Sequence, residues 1–120
     1  MARILIADDQ LAMRNMFKSI FASTKHELDL ATDGEDAYKK ATATSYDIVI
    51  TDLYMPKLDG IGLTKRLRQQ SAYKGKPVLI VSTENATSKK TEGRAAGANG
   101  WIVKPVSADV LLPAIDKLIH

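Results

Sequence analysis

The pair Asp8-Asp9, Asp52, Ser82 and Lys104 lie far apart in the chain, yet each closes or follows an apolar run. The runs are Ile4-Leu5-Ile6-Ala7, Ile48-Val49-Ile50-Thr51, Val78-Leu79-Ile80-Val81 and Ile102-Val103. As parallel strands, these runs would place their carboxyl ends along one edge of a sheet. Ligand sites of open α/β sheets lie in that crevice, where the strand order reverses. Three carboxylates, one hydroxyl and one ammonium would then come within reach of one another. Crowded carboxylates repel unless a cation sits among them or one of them takes up a proton. A hard divalent ion fits such a set, and magnesium is usually held by one or two carboxylates with waters and a phosphoryl group. No histidine or cysteine cluster argues for zinc.

Each residue also has a plainer reading. Asp8 or Asp9 alone would be read as a cap for the helix that follows. Lys104 is either a point charge for a phosphoryl oxygen or a salt-bridge partner of one acid, two roles compatible in different states. Ser82 can donate a hydrogen bond to an anion and is otherwise an ordinary strand-end serine. Lys104-Pro105 is a candidate cis peptide that would fix its loop.

The elements that must position these groups follow from periodicity. Apolar runs alternate with amphipathic stretches, the pattern of a parallel sheet covered on both faces. Met13, Met16, Phe17, Ile20 and Phe21 recur at helical spacing and predict a first helix. Leu28 and Leu30 alternate with Glu27 and Asp29, which predicts a strand with one wet face or an edge position. Asp33-Gly34 opens a second helix carrying Ala37, Tyr38 and Ala41, and Asp59-Gly60 a third carrying Leu63 and Leu67. Ser107 is the expected N-cap of the last helix, with an apolar face of Val110, Leu111, Ala114, Ile115, Leu118 and Ile119. Five strands and five helices in alternation make an α/β domain of 120 residues, a single unit over residues 1–120.

Two stretches stand out. The fourth helical stretch, Ala86 to Ala96, has no large apolar residue and includes Gly93, so little packing anchors it. It is either a segment able to shift between states or a surface helix held by alanines. Pro113 falls inside the last helix, where it removes a backbone hydrogen bond and should bend or loosen it.

Bulk properties bound the rest. The chain is 45% hydrophobic and 26% charged with a net charge of +3, an ordinary globular composition. With no cysteine there is no disulfide, thiolate site or cysteine nucleophile. The first apolar stretch is too short for a signal peptide or a membrane span, so a cytoplasmic location without membrane contact is expected. Lys65, Arg66, Arg68, Lys74, Lys76, Lys89, Lys90 and Arg94 read as a solvated face of two helices, or as a surface for an acidic protein. They are not interleaved with aromatics, and no nucleic-acid-binding motif accompanies them, so a nucleic-acid partner is not expected.

Taken together, Asp8-Asp9, Asp52-Leu53-Tyr54-Met55-Pro56 with Asp59-Gly60, Val81-Ser82 and Val103-Lys104-Pro105 resemble a response-regulator receiver domain. The resemblance covers the whole chain. Gly100-Trp101-Ile102-Val103-Lys104-Pro105, with no output domain, looks closest to CheY-type chemotaxis regulators. It implies a doubly wound, flavodoxin-like (βα)5 fold with strand order 2-1-3-4-5. It implies Asp52 as phosphoacceptor from a histidine kinase, and Mg2+ held by Asp8, Asp9, Asp52 and the backbone carbonyl of Tyr54. Lys104 and Ser82 would bind the phosphoryl oxygens, and Ser82 with Trp101 would form the switch. Trp101 could instead be a half-buried surface aromatic. Tyr54, where the best-known chemotaxis members carry Asn, flanks the site with Glu84, and the pair is expected to tune the lifetime of the phosphoryl group. Thr83 replaces a common Ala or Gly.

The expected protein is therefore a monomeric signalling domain that modifies itself and is not an enzyme acting on an external substrate. Its output is made in trans, at the flagellar motor switch or, alternatively, as a phosphate sink or phosphorelay intermediate. A phosphatase is a further expected partner. A magnesium-dependent phosphatase of an external substrate would carry a second acid two residues after its nucleophile, where this chain has Tyr54. A nucleotide-binding module would need a glycine-rich phosphate loop, and neither G-x-G-x-x-G nor a Walker loop occurs.

Overall fold

Apolar runs flanked by amphipathic stretches leave the central strands with apolar side chains on both faces, so both faces must be covered. The computed structural model, which describes residues 1–119, meets that demand with alternating strands and helices. The strands are β1 (Arg3–Ala7), β2 (Glu27–Ala31), β3 (Ile48–Thr51), β4 (Val78–Ser82) and β5 (Gly100–Val103). The helices are α1 (Leu11–Phe21), α2 (Gly34–Ala43), α3 (Gly60–Arg68), α4 (Thr87–Ala96) and α5 (Ala108–Ile119), with one 3-10 turn at Ser71–Tyr73. All strand pairs are parallel, in the order β2-β1-β3-β4-β5. Among the described residues no helix is long and apolar enough to cross a membrane.

Alternation along the strands sorts the core into two sides. Ile4, Ile6, Ile48, Ile50, Leu79 and Val81 pack with Phe17 and Phe21 of α1 and Leu111 and Ile115 of α5. Leu5, Ala7, Val49 and Val78 face the opposite way, against Ala37 and Ala41 of α2 and Leu63 and Leu67 of α3. A smaller cluster of Leu53, Ile61, Ile80 and Ala96 lies beneath Trp101. β2 is an edge strand with Glu27 and Asp29 exposed, as its alternation predicts.

Helix starts follow local chemistry where the sequence supplies it. Asp33 and Asp59 cap α2 and α3 by accepting from the N–H groups of Asp36 and Gly62, both at 2.7 Å. The last helix departs from expectation at one position. Val110 is 53% exposed, while Leu112 and Val106 turn toward the core instead. Pro113 lies inside an unbroken α5 on its exposed side, where water can satisfy the carbonyl that its ring leaves without a partner.

The basic residues do not form one free face. Arg68 sends its guanidinium inward, to the carbonyls of Gly97, Tyr73 and Lys76 and to Asn99 Oδ1. It thereby ties the end of α3 to the end of α4 and the start of β5. Arg66 pairs with Glu35 at 2.9 Å and lies over the Tyr38 ring. Lys76 pairs with Asp47 and Lys89 with Glu92. Part of the expected surface is thus internal bracing, and part is neutralised by neighbouring acids.

Glycine permits one approach on which the site depends. A Cβ at Gly60 would lie 2.2 Å from the backbone oxygen of Asp52, so only glycine lets the start of α3 seat against that carbonyl. Gly60→Ala should cost about 1–3 kcal/mol in urea unfolding through overpacking. Gly75→Ala, at a position with open space around it, should fall within about 0.5 kcal/mol of the parent.

Candidate functional site

Parallel register brings the strand ends level: Ala7 pairs with Thr51, and Ser82 with Val103. The next residues, Asp8, Asp52 and Lys104, therefore converge where β1, β3 and β5 end. One carboxylate oxygen from each of Asp8, Asp9 and Asp52 lies within 4.8 Å of the others. Lys104 Nζ reaches Asp8 Oδ2 and Asp52 Oδ2, each at 3.2 Å. An open cleft of about 520 Å³ is lined here by Asp9, Met13, Asp52, Tyr54, Thr83 and Lys104, among others.

The three acids are not equivalent. Asp8 is 1% exposed, with Oδ1 taking the Gln10 N–H at 2.9 Å and Oδ2 taking Lys104. Neither Asp8 nor Asp9 caps α1: the cap position is Gln10, which makes no side-chain cap bond, so the capping reading is corrected. Asp9 is exposed beside the cleft. Asp52 is 11% exposed at its side chain, opens on the cleft, and has Oδ1 anchored by the Leu53 N–H at 2.7 Å. Burial pushes its carboxyl above the ordinary 3.8, Lys104 opposes that rise, and the charge of Asp8 adds to it.

The donor set suits a hard divalent cation. All three side chains offer carboxylate oxygens, they crowd together, and a single ammonium serves two of them. Asp8, Asp9 and Asp52 are the residues that would hold it, and Tyr54 lines the same cleft.

The remaining expected residues gather around the cleft. Ser82 is the last residue of β4, buried, and its Oγ accepts the Glu84 N–H at 3.2 Å. Lys104-Pro105 is cis, as expected. Trp101 is half-buried, and its Nε1 donates to the Glu84 carbonyl at 3.0 Å. Its ring packs so tightly on α4 that a Cβ at Gly93 would meet Cζ3 at 2.9 Å. The small residues of α4 are therefore what allow the indole to lie there. Tyr54 is 52% exposed, and its hydroxyl donates to Glu84 Oε1 at 2.6 Å. That bond raises the Tyr54 hydroxyl and lowers the Glu84 carboxyl from their ordinary values. Sequence reasoning set these two residues beside the site without finding the bond between them. It missed Gln10, whose N–H orients Asp8, and Arg14, whose guanidinium donates to the Asp8 carbonyl at 2.9 Å.

An acidic crevice with one lysine, at the carboxyl edge of a 2-1-3-4-5 sheet, defines a doubly wound α/β domain with its polar site where such folds place their ligands. The match to known proteins is specific. Residues 4–116 match the family described as response regulator receiver domain. The chain superposes on the Vibrio cholerae chemotaxis protein CheY4 with a TM-score of 0.93 and 37% identity over 98% of both chains. It is 38% identical over 117 residues to a gliding motility regulatory protein of Myxococcus xanthus, and 29% identical over 120 residues to response regulator ArlR of Staphylococcus aureus. It spans 15% and 53% of those two relatives' lengths. The chain belongs to the response-regulator receiver domain family.

An ionised Asp52 beside Asp8 works against folding. Asp52→Asn should therefore raise the unfolding temperature in chelator by a few degrees, equivalent to about 1 kcal/mol. Magnesium should narrow the gap by stabilising the parent through mass action. Calorimetry with and without magnesium checks both.

Proposed function

We propose that this receiver domain takes a phosphoryl group on Asp52 from the phosphohistidine of a histidine kinase and signals through the change that follows. The observation that carries the reading is the asymmetry of the acids. Asp8 is enclosed and committed to Gln10 and Lys104, and Asp9 lies outside the ammonium's reach among the bonds found. Asp52 alone combines an opening onto the cleft with direct contact to Lys104.

In the transfer, an Asp52 carboxylate oxygen forms the O–P bond as the donor's N–P bond breaks, and the histidine leaves with the bonding pair. Lys104 neutralises charge on the phosphoryl oxygens, and Ser82 supplies a hydroxyl donor from the end of β4. Mg2+, held by Asp8, Asp9, Asp52 and the backbone carbonyl of Tyr54, would supply electrostatic stabilisation of phosphoryl oxygens when bound. Water then cleaves the aspartyl phosphate, returning Asp52 and releasing inorganic phosphate. The chemistry is self-directed and needs no external substrate to be turned over.

The signal passes from Ser82 to Trp101. Drawing the Ser82 hydroxyl toward the phosphoryl group alters the loop that carries Glu84, whose carbonyl holds the Trp101 indole. Likeness to the chemotaxis protein CheY4 supports a chemotaxis output, for which the flagellar motor switch is the first candidate target. The apolar poverty of α4 favours a second reading, a phosphate sink or phosphorelay intermediate, because it offers little surface for tight docking.

Acetyl phosphate with magnesium should add one phosphoryl mass to the parent and change the fluorescence of Trp101, the single tryptophan. Asp52→Asn and magnesium-free samples should show neither. Absence of the mass gain, even with a phosphorylated kinase as donor, would sink the reading. Phosphorylation-dependent binding to a motor-switch protein would decide for the motor over the sink.

A further inference from the structure

Glu84 takes part in hydrogen bonds to four separate places. Its Oε1 accepts from the Tyr54 hydroxyl at 2.6 Å, and its Oε2 from the Ala86 N–H at 3.2 Å. Its carbonyl accepts from Trp101 Nε1 at 3.0 Å, and its own N–H donates to Ser82 Oγ at 3.2 Å. Glu84 is half-exposed and is not among the residues lining the cleft beside Asp52, so this connectivity points to a further role.

The two ends of α4 explain it. At the C-terminal end Gly97 is left-handed with φ 113°, and its carbonyl takes two bonds from the Arg68 guanidinium. Gly93 and Ala96 are buried there against the molecule. At the N-terminal end the cap residue is Ala86, which has no capping side chain. The Glu84 carboxylate instead positions the cap residue itself by accepting the Ala86 N–H, and it is fixed in turn by Tyr54, thirty residues away in the chain. The helix is thus braced at one end and fastened at the other through one side chain.

We propose that Glu84 is a tether and Tyr54 its catch. Together they hold the start of α4 and the Trp101 indole in the arrangement seen here, and they let go when Asp52 is phosphorylated. The release rests on the phosphoacceptor reading above. A phosphoryl group that recruits the Ser82 hydroxyl disturbs the acceptor of the Glu84 N–H. It also adds negative charge to a cleft that Tyr54 lines, opposing the Glu84 carboxylate held beside it. Both effects act on the residue that carries the Trp101 contact. The catch is therefore a positioning device, and it biases the switch toward the unmodified arrangement.

The experiment compares hydrogen exchange and the Trp101 indole N–H resonance in unmodified parent, Tyr54→Phe and Glu84→Ala. Tyr54→Phe keeps the ring and removes only the hydroxyl. Exchange at the Ala86 N–H should rise about threefold or more in both variants, as expected for loss of one hydrogen bond. The Trp101 resonance should shift, and exchange at the Ala98 N–H, which bonds Gly93 in the braced end, should not change. Parent treated with acetyl phosphate and magnesium should move toward the Tyr54→Phe values. Unchanged Ala86 protection in Tyr54→Phe, or equal loosening at Ala98, would overturn the tether. Phosphorylation confirmed by mass with Ala86 protection unchanged would overturn the release and leave the phosphoacceptor reading standing. Failure of Asp52 to take a phosphoryl group would remove that reading and the release, while the unmodified variants still decide the tether.

Discussion

The Lys104 ammonium between the carboxylates of Asp8 and Asp52 is the contact on which the site turns. Taking a carboxylate out of water is expensive, and two side by side are worse. One ammonium at 3.2 Å from each offsets part of that penalty and fixes where the charges sit. The balance remains short of positive charge, because Asp9 stands beside the same cleft. A site left in that condition suits a hard divalent cation, whose charge would offset that of an incoming anionic group. The chemistry proposed for Asp52 follows from this deficit more than from any single residue.

The sheet makes so strained a grouping permanent. Asp8 and Asp52 lie directly beyond strands buried on both faces, and Lys104 beyond the half-buried β5 paired to β4, so their backbones cannot drift apart to relieve repulsion. The Asp52 N–H bonds the Ala7 carbonyl at 2.9 Å, and the Lys104 N–H bonds the Ser82 carbonyl at 2.8 Å. Those bonds extend the ladder one residue past the strands, into the site itself. Gly60 closes the arrangement from the α3 side by leaving room at the Asp52 carbonyl. The apolar core thus supplies the rigidity, and the polar edge spends it.

Most of this was legible in the sequence because it depends on period and order. Buried strands write themselves as apolar runs, and the residue after each run had to stand at the sheet edge. Asp33 and Asp59 announced their helices through local hydrogen bonding, which needs no tertiary information. Other features hinge on which partner a long side chain finds. Arg68 read as surface charge because nothing local shows that carbonyls of three distant residues lack donors. Val110 read as core because helical spacing alone fits it about as well as Leu112. Asp8 or Asp9 alone would have read as a cap, and the acid at the third strand's end pointed instead to a shared site. The bond from Lys104, 96 residues on, to an Asp8 oxygen is tertiary. The Tyr54–Glu84 bond had the same obstacle: both residues were placed at the rim, and only the loop conformations bring hydroxyl and carboxylate together.

The poverty of α4, which looked like a defect in the sequence, has a positive physical role. A large apolar residue at position 93 would hold the helix harder, and it would also displace the Trp101 ring that lies against Gly93. Firm anchoring and a seated indole compete for the same volume. Glycine resolves the competition for the indole, which leaves the helix dependent on its two ends. Arg68 secures one end with two bonds to the part-buried Gly97 carbonyl, which would lose both donors if they broke. The other end depends on exposed bonds to Glu84, which water can replace. A helix built this way is held at one end by the Arg68 guanidinium and at the other by Glu84. The N-terminal end is the one joined to Ser82, through the N–H of Glu84, the residue whose carbonyl accepts from the indole.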